Sequence, residues 1–202
     1  MPPLPSPTLV PVHWDRLFED LEGQLAAEWE TERAALDAEA ERLRIARLDL
    51  RQRLRTLASI DAGVRLELAG AAHAVGRVQE VGSDWVAVGS PALTIVPIDA
   101  IRSIVLDHGL LLSSLDEGAA ADGVRDRMSL GFVLRDLARR RAPVRLGCAD
   151  GAVLHGTIDR AGADHLDLAE HEPGTVRRAA DVRGFRIVAF TAVARIDLPT
   201  SS

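Results

Sequence analysis

Three histidines and three acids crowd one stretch of the chain: His155, His165 and His171, interleaved with Asp164, Asp167 and Glu170. Imidazole and carboxylate are ordinary ligands of a transition metal, and the same pair serves general acid–base chemistry. Metal sites written in a contiguous sequence carry a recognisable spacing, and none is present here. Histidines on the outside of a strand-and-turn segment need no metal, so neither a metal nor a cofactor is expected. The single cysteine, Cys148, lies in strand-like sequence, where a buried and inert thiol is the expectation. A nucleophile elbow, a phosphate loop and a Cys/His pair are all missing from the sequence. These residues argue against an enzyme.

Phosphate contact is the other chemistry on offer. All 24 basic residues are Arg, which reads as coding composition rather than chemistry. The whole chain is acidic, at −6, yet residues 122–202 hold thirteen arginines against eleven acids. Arg139, Arg140, Arg141 and Arg145 form one group; Arg177, Arg178, Arg183 and Arg186 form another, with His165 nearby. Brought onto one face, such arginines suit a nucleic-acid backbone. Aromatic residues make up only 3% of the chain, so stacking platforms for bases are few. Arg139 to Arg141 also close a predicted helix, where cations are favoured in any case.

The elements that would position these groups occur twice. Val64 to Val88 and Val144 to Leu168 align without a gap at an offset of eighty residues. Val64/Val144, Arg65/Arg145, Leu66/Leu146, Ala69/Ala149, Gly76/Gly156, Gly82/Gly162 and Asp84/Asp164 coincide. So do the apolar positions Val78/Ile158, Val86/Leu166 and Val88/Leu168. Such regularity marks a duplicated unit. Within each copy the apolar residues alternate, the period of a half-buried strand. Gly82-Ser83-Asp84 and Gly162-Ala163-Asp164 read as tight hairpin turns. Gly76 and Gly156 interrupt strand pattern, where glycine marks a bend. The second copy carries twelve extra residues, roughly Pro173 to Gly184, before its closing strands.

Asp150-Gly151 followed by Gly156-Thr157-Ile158 resembles the first motif of the Sm-like family. Val182-Arg183-Gly184-Phe185-Arg186-Ile187 resembles its second, an Arg-Gly flanked by aliphatics. The resemblance implies a bent five-stranded barrel behind a short helix, often in rings that bind RNA. Other SH3-like rolls share the strand pattern. The plan is also similar to that of an actinobacterial family of helix-plus-two-barrel proteins.

From Trp14 to about Ala58 the chain has no Pro and one Gly, and Ala, Leu, Glu and Arg dominate. As one helix this would be roughly 65 Å long. Trp29, Leu36, Leu43, Leu50 and Leu57 recur at intervals of seven, the mark of a coiled-coil seam, although Arg33 and Arg47 occupy companion positions. Trp14 to Glu41 has a net charge of −8, and Arg42 to Ala58 one of +5. Acid first and base last suits the helix dipole. An antiparallel partner would set one half against the other.

The expected architecture is α+β: a long N-terminal α-helix, coiled-coil-like, followed by two tandem Sm-like or SH3-like five-stranded antiparallel β-barrels. Residues 1–13 read as a disordered Pro-rich tail, 14–60 as the helix and 61–107 as the first barrel. Residues 108–124 read as a linker, and 125–198 as a short helix, capped by Ser129, plus the second barrel. No apolar run approaches the eighteen or so residues of a membrane helix, and the Pro-rich start lacks the basic residues of a secretion signal. A cytoplasmic protein without membrane partners is expected. Function reads as non-catalytic scaffolding: a homo-oligomer held by the helix, its barrels presented to a protein partner. The alternative is an RNA- or DNA-binding regulator that uses the Arg-rich second barrel.

Overall fold

The computed structural model describes residues 14–89, 92–116, 123–173 and 179–199. The expected tail, 1–13, lies outside them. The chain forms two compact units, residues 1–47 and 48–202. The first contains helix α1, Trp14–Ala46.

The single long helix of the sequence reading is two helices. Helix α2 runs Leu50–Ser59, and Asp49 between them has extended backbone angles. Asp49 accepts a hydrogen bond from the Gln52 amide at 2.6 Å, and the Gln52 side chain accepts one from the Asp49 amide at 2.8 Å. This reciprocal capping box satisfies amides that a new helix start would leave orphaned. A capping residue cannot itself be helical, so the chain must leave the helix there. The heptad is divided accordingly. Trp29, Leu36 and Leu43 stay on α1, Leu50 opens α2, and Leu57 is buried in the core of the second unit. The basic half of the presumed rod is divided too. Arg51 donates to the Gly82 and Asp126 carbonyls, Arg53 to Ser114 Oγ, and Arg55 pairs with Asp126.

Among the described residues the body contains ten strands: β1 Gly63–Leu68, β2 His73–Val81, β3 Trp85–Gly89, β4 Leu93–Pro97, β5 Ile101–Val105, β6 Pro143–Cys148, β7 Val153–Ala161, β8 His165–Glu170, β9 Gly184–Ala189 and β10 Val193–Leu198. Helix α3, His108–Ser113, follows β5, and helix α4, Leu130–Arg140, precedes β6 with Ser129 as its cap. Two separate closed barrels do not form. All ten strands join one open antiparallel sheet, in the order β5-β1-β2-β3-β4-β10-β6-β7-β8-β9. Within each repeat the fifth strand returns to the first, by β5–β1 and β10–β6. The fourth strand of the first repeat then pairs with the fifth strand of the second, Ile95 opposite Ile196, Thr94 opposite Asp197 and Leu93 opposite Leu198. A β4 edge paired across to the other repeat cannot also close on its own β5.

Close approaches between strands fall where the repeated glycines stand. A Cβ on Gly76 would lie 2.6 Å from Gly89 Cα, and one on Gly156 would lie 2.2 Å from the Ala169 carbonyl oxygen. Both glycines let neighbouring strands approach closely. A register shift follows in each copy, between Val78 and Glu80 and between Ile158 and Arg160.

Strand β3 is buried along its whole length. Because side chains alternate, its two faces serve different cores. Val86 and Val88, with Val96, pack with Leu54, Leu57 and Leu66 of the first repeat. Trp85 and Ala87, with Ile95, pack with Leu130, Leu134, Leu146 and Ile196 of the second. The two repeats therefore share material as well as a strand pair. Among the described residues no helix is long and apolar enough to cross a membrane.

Cutting the chain within residues 117–122 should leave both halves associated, eluting together from a sizing column until denaturant is added. Replacing Ile196, fully buried at this joint, by Ala should cost roughly 2–5 kcal/mol in urea unfolding and weaken the nicked pair.

Candidate interaction surfaces

Helix α1 carries an uncovered apolar stripe. Phe18, Leu21, Leu25, Trp29, Leu36 and Leu43 are all exposed. At 100° per residue they fall within roughly a quarter of the helix circumference. Glu32 and Glu39 interrupt the stripe in its second half. The helix as a whole holds ten acids and four arginines, and two of those, Arg42 and Arg44, pair with Glu39 and Glu41 one turn earlier. The Glu41 carboxyl is held below its usual range by the hydrogen bond from Arg44.

The joint between the repeats is held by hydrogen bonds as well as by the β4–β10 pairing. The hairpin after β2 grips the start of α4. The Ser83 amide and Trp85 Nε1 both donate to the Met128 carbonyl, at 3.0 and 2.9 Å. Asp84 accepts from the Leu130 amide at 2.7 Å, adding a carboxylate at the positive end of the helix. Trp85 itself is buried.

The arginines expected to meet phosphate are differently placed. Arg177 and Arg178 lie outside the described residues. Arg183, just before β9, is paired with Glu172, and Arg186 on β9 donates to Glu170. That bond keeps the Arg186 guanidinium protonated beyond its usual range. Arg139 and Arg140 both reach Asp136, and Arg145 reaches Asp197 at 3.0 Å. The carboxylates beside these side chains offset the positive charge that a phosphate would need. His165 Nδ1 lies 2.8 Å from Asp164, and this bond holds the exposed Asp164 carboxyl below its usual range.

The three histidines do not converge. His171 is buried, with Nε2 at 2.8 Å from Thr157 Oγ1 and Nδ1 at 3.0 Å from the Glu172 carbonyl. A carbonyl only accepts, which assigns a proton to Nδ1. Among the described residues no group of three or more His, Cys, Asp or Glu is placed to hold a metal ion. Cys148 is buried, and burial, then the Asp150 carboxylate, push its thiol up, away from the reactive thiolate.

Sequence reasoning missed two features of these surfaces. The repeat extends upstream through the helices, with Asp49/Ser129, Leu50/Leu130, Leu54/Leu134 and Leu57/Leu137 at the same offset of eighty. The stripe on α1 begins at Phe18, because a strict seven-residue template anchored at Trp29 passes over Phe18, Leu21 and Leu25.

Replacing Glu170 and Glu172 by Gln should free Arg186 and Arg183 and delay elution from a heparin column relative to the parent chain. Unchanged elution would mean that these arginines are not what a polyanion meets.

No protein-family model, no curated protein and no solved structure matches this chain.

Proposed function

We propose that this chain is a non-catalytic scaffold that assembles with its own copies through α1 and presents the ten-stranded body as a binding surface. The observation that carries this reading is the stripe from Phe18 to Leu43, six large apolar side chains exposed on one side of a helix. Contiguous exposed apolar surface of this kind marks an interaction site. The acid excess of α1 opposes pairing of like helices, and salt screens that repulsion. Association through the stripe is therefore favoured by rising ionic strength. A cytoplasmic setting belongs to the same reading, supported by the lone buried thiol. The Sm-like motifs lend no ligand to it: Arg183 and Arg186 are engaged by glutamates.

The test is sedimentation of the full chain beside a Leu36→Asp, Leu43→Asp variant. Burying a Leu stabilises by roughly 1.5–3 kcal/mol, so losing two per chain should weaken a pair by about 100-fold or more. The parent should gain mass with concentration and with salt, and the variant should not, while its unfolding transition stays put because both residues are exposed. Identical sedimentation of the two would overturn the reading. RNA or DNA that co-purifies until nuclease removes it would favour the nucleic-acid alternative.

A further inference from the structure

We propose that the second repeat binds a small monocarboxylate, of the size of benzoate, in a proline-walled cavity where Arg145 and His155 meet its charge. This does not depend on α1.

Four strands bring the polar groups of this site into one row. Thr94 on β4 lies opposite Asp197 on β10, Asp197 opposite Arg145 on β6, and Arg145 opposite His155 on β7. Residues opposite one another share a face, with Cβ atoms about 4.5–5.5 Å apart. Val144 and Leu146 belong to the core, so Arg145 between them points away from it. On that outer side lies a cavity of about 260 Å³. Pro143, Pro173, Leu198 and Pro199 give it apolar walls, and His171 closes it further. Both ring nitrogens of His171 are already engaged, by Thr157 and by the Glu172 carbonyl.

The remaining polar groups suit one negative charge. Asp197 accepts from Thr94 Oγ1 at 2.9 Å, and its other oxygen serves two guanidiniums, Arg145 at 3.0 Å and Arg195 at 3.4 Å. One carboxylate between two arginines leaves one positive charge over. Glu172 at the rim is paired with Arg183 and cancels none of it. Arg145 commits one terminal nitrogen to Asp197, and its planar fork has further N–H groups matched to a carboxylate. The His155 side chain is half-buried and has no hydrogen-bond partner among the described residues. A neutral imidazole has one N–H to donate. A single surplus charge matches a carboxylate and falls short of a doubly charged phosphate. Pockets for drug-sized ligands run roughly 300–1,000 Å³, so this one takes a single ring or a short branched chain.

The first repeat has the strands but not the site. Leu66 faces Ile104 and Leu146 faces Ile196, so β10 corresponds to β5. Where the second repeat has Pro143, His155, Asp197 and Pro199, the first has Gly63, Val75, Val105 and Asp107. Val75 and Val105 flank Arg65, which pairs with Glu67 instead. The charged row and the proline walls are therefore no by-product of the duplicated fold.

The test is titration of the isotope-labelled full chain with sodium benzoate at constant ionic strength, read by amide chemical shifts. Saturable shifts are expected at Val144 to Leu146, His155, Gly156 and Leu198, and none at Arg65 or Val75. Benzamide has the same shape without the charge. It should bind about tenfold more weakly or worse, the worth of a hydrogen bond to a charged group. His155→Leu leaves the Arg145–Asp197 pair in place and should weaken benzoate several-fold; Arg145→Gln should weaken it further. Shifts that do not saturate at tens of millimolar benzoate would overturn the proposal. Benzamide binding as well as benzoate would overturn it too, by making the cavity merely apolar. Inorganic phosphate competing at equal affinity would show a general anion site, and the carboxylate assignment would fall.

Discussion

The pairing of β4 with β10 is the constraint on which the body depends. An edge strand carries unmet amides and carbonyls, and in water its apolar face adds to the cost. The first repeat resolves this at β4 by lending the edge to its neighbour. Everything nearby follows from that choice. β3 must be apolar on both faces, since a core lies on each side. Trp85 can be buried although it begins a strand, because it packs with Leu130 at the start of α4 and its indole N–H donates to the Met128 carbonyl. The 24 residues from Val105 to Met128 connect one end of the sheet to the start of α4.

Duplication and joining of strands pull in opposite directions on sequence. Equivalent residues in the two copies no longer have equivalent surroundings. Position 85 is buried Trp while position 165 is His; position 87 is buried Ala while position 167 is Asp. The copy whose β3–β4 face is interior is apolar there, and the copy whose face lies at the end of the sheet carries polar groups. Ile187 and Phe185 depart from this trend, and their exposure on an end strand sets the end of the sheet apart from an ordinary polar rim.

Strand content and turns were legible because they rest on local chemistry. Alternating Val64, Leu66 and Leu68, the Gly82 hairpin and the Ser129 cap need no knowledge of distant residues. Strand partnership was not legible. Ile95 reads identically whether it faces its own repeat or the other, because alternation specifies a face and not a neighbour. The break at Asp49 was written as Asp-x-x-Gln, yet good helix formers on both sides masked it. Leu57 fitted the heptad by spacing alone; its place three residues after Leu54 also sets it on the buried face of α2. The arginines were counted correctly as charges, but their pairing with Glu170 and Glu172 depends on a strand register that composition does not contain.

The sequence contains no Tyr and three Trp, at positions 14, 29 and 85. Its near-ultraviolet emission is thus indole emission alone. Trp29 stands in water on α1, and Trp85 sits in the seam between repeats with its ring nitrogen bonded to a carbonyl. An indole in water emits to the red of one in a dry seam and is the more open to iodide, so the two signals can be told apart; Trp14 adds to that of α1. Nature has in this way placed separate optical reporters on the helix and on the joint, so that an event at either can be followed without attaching a dye.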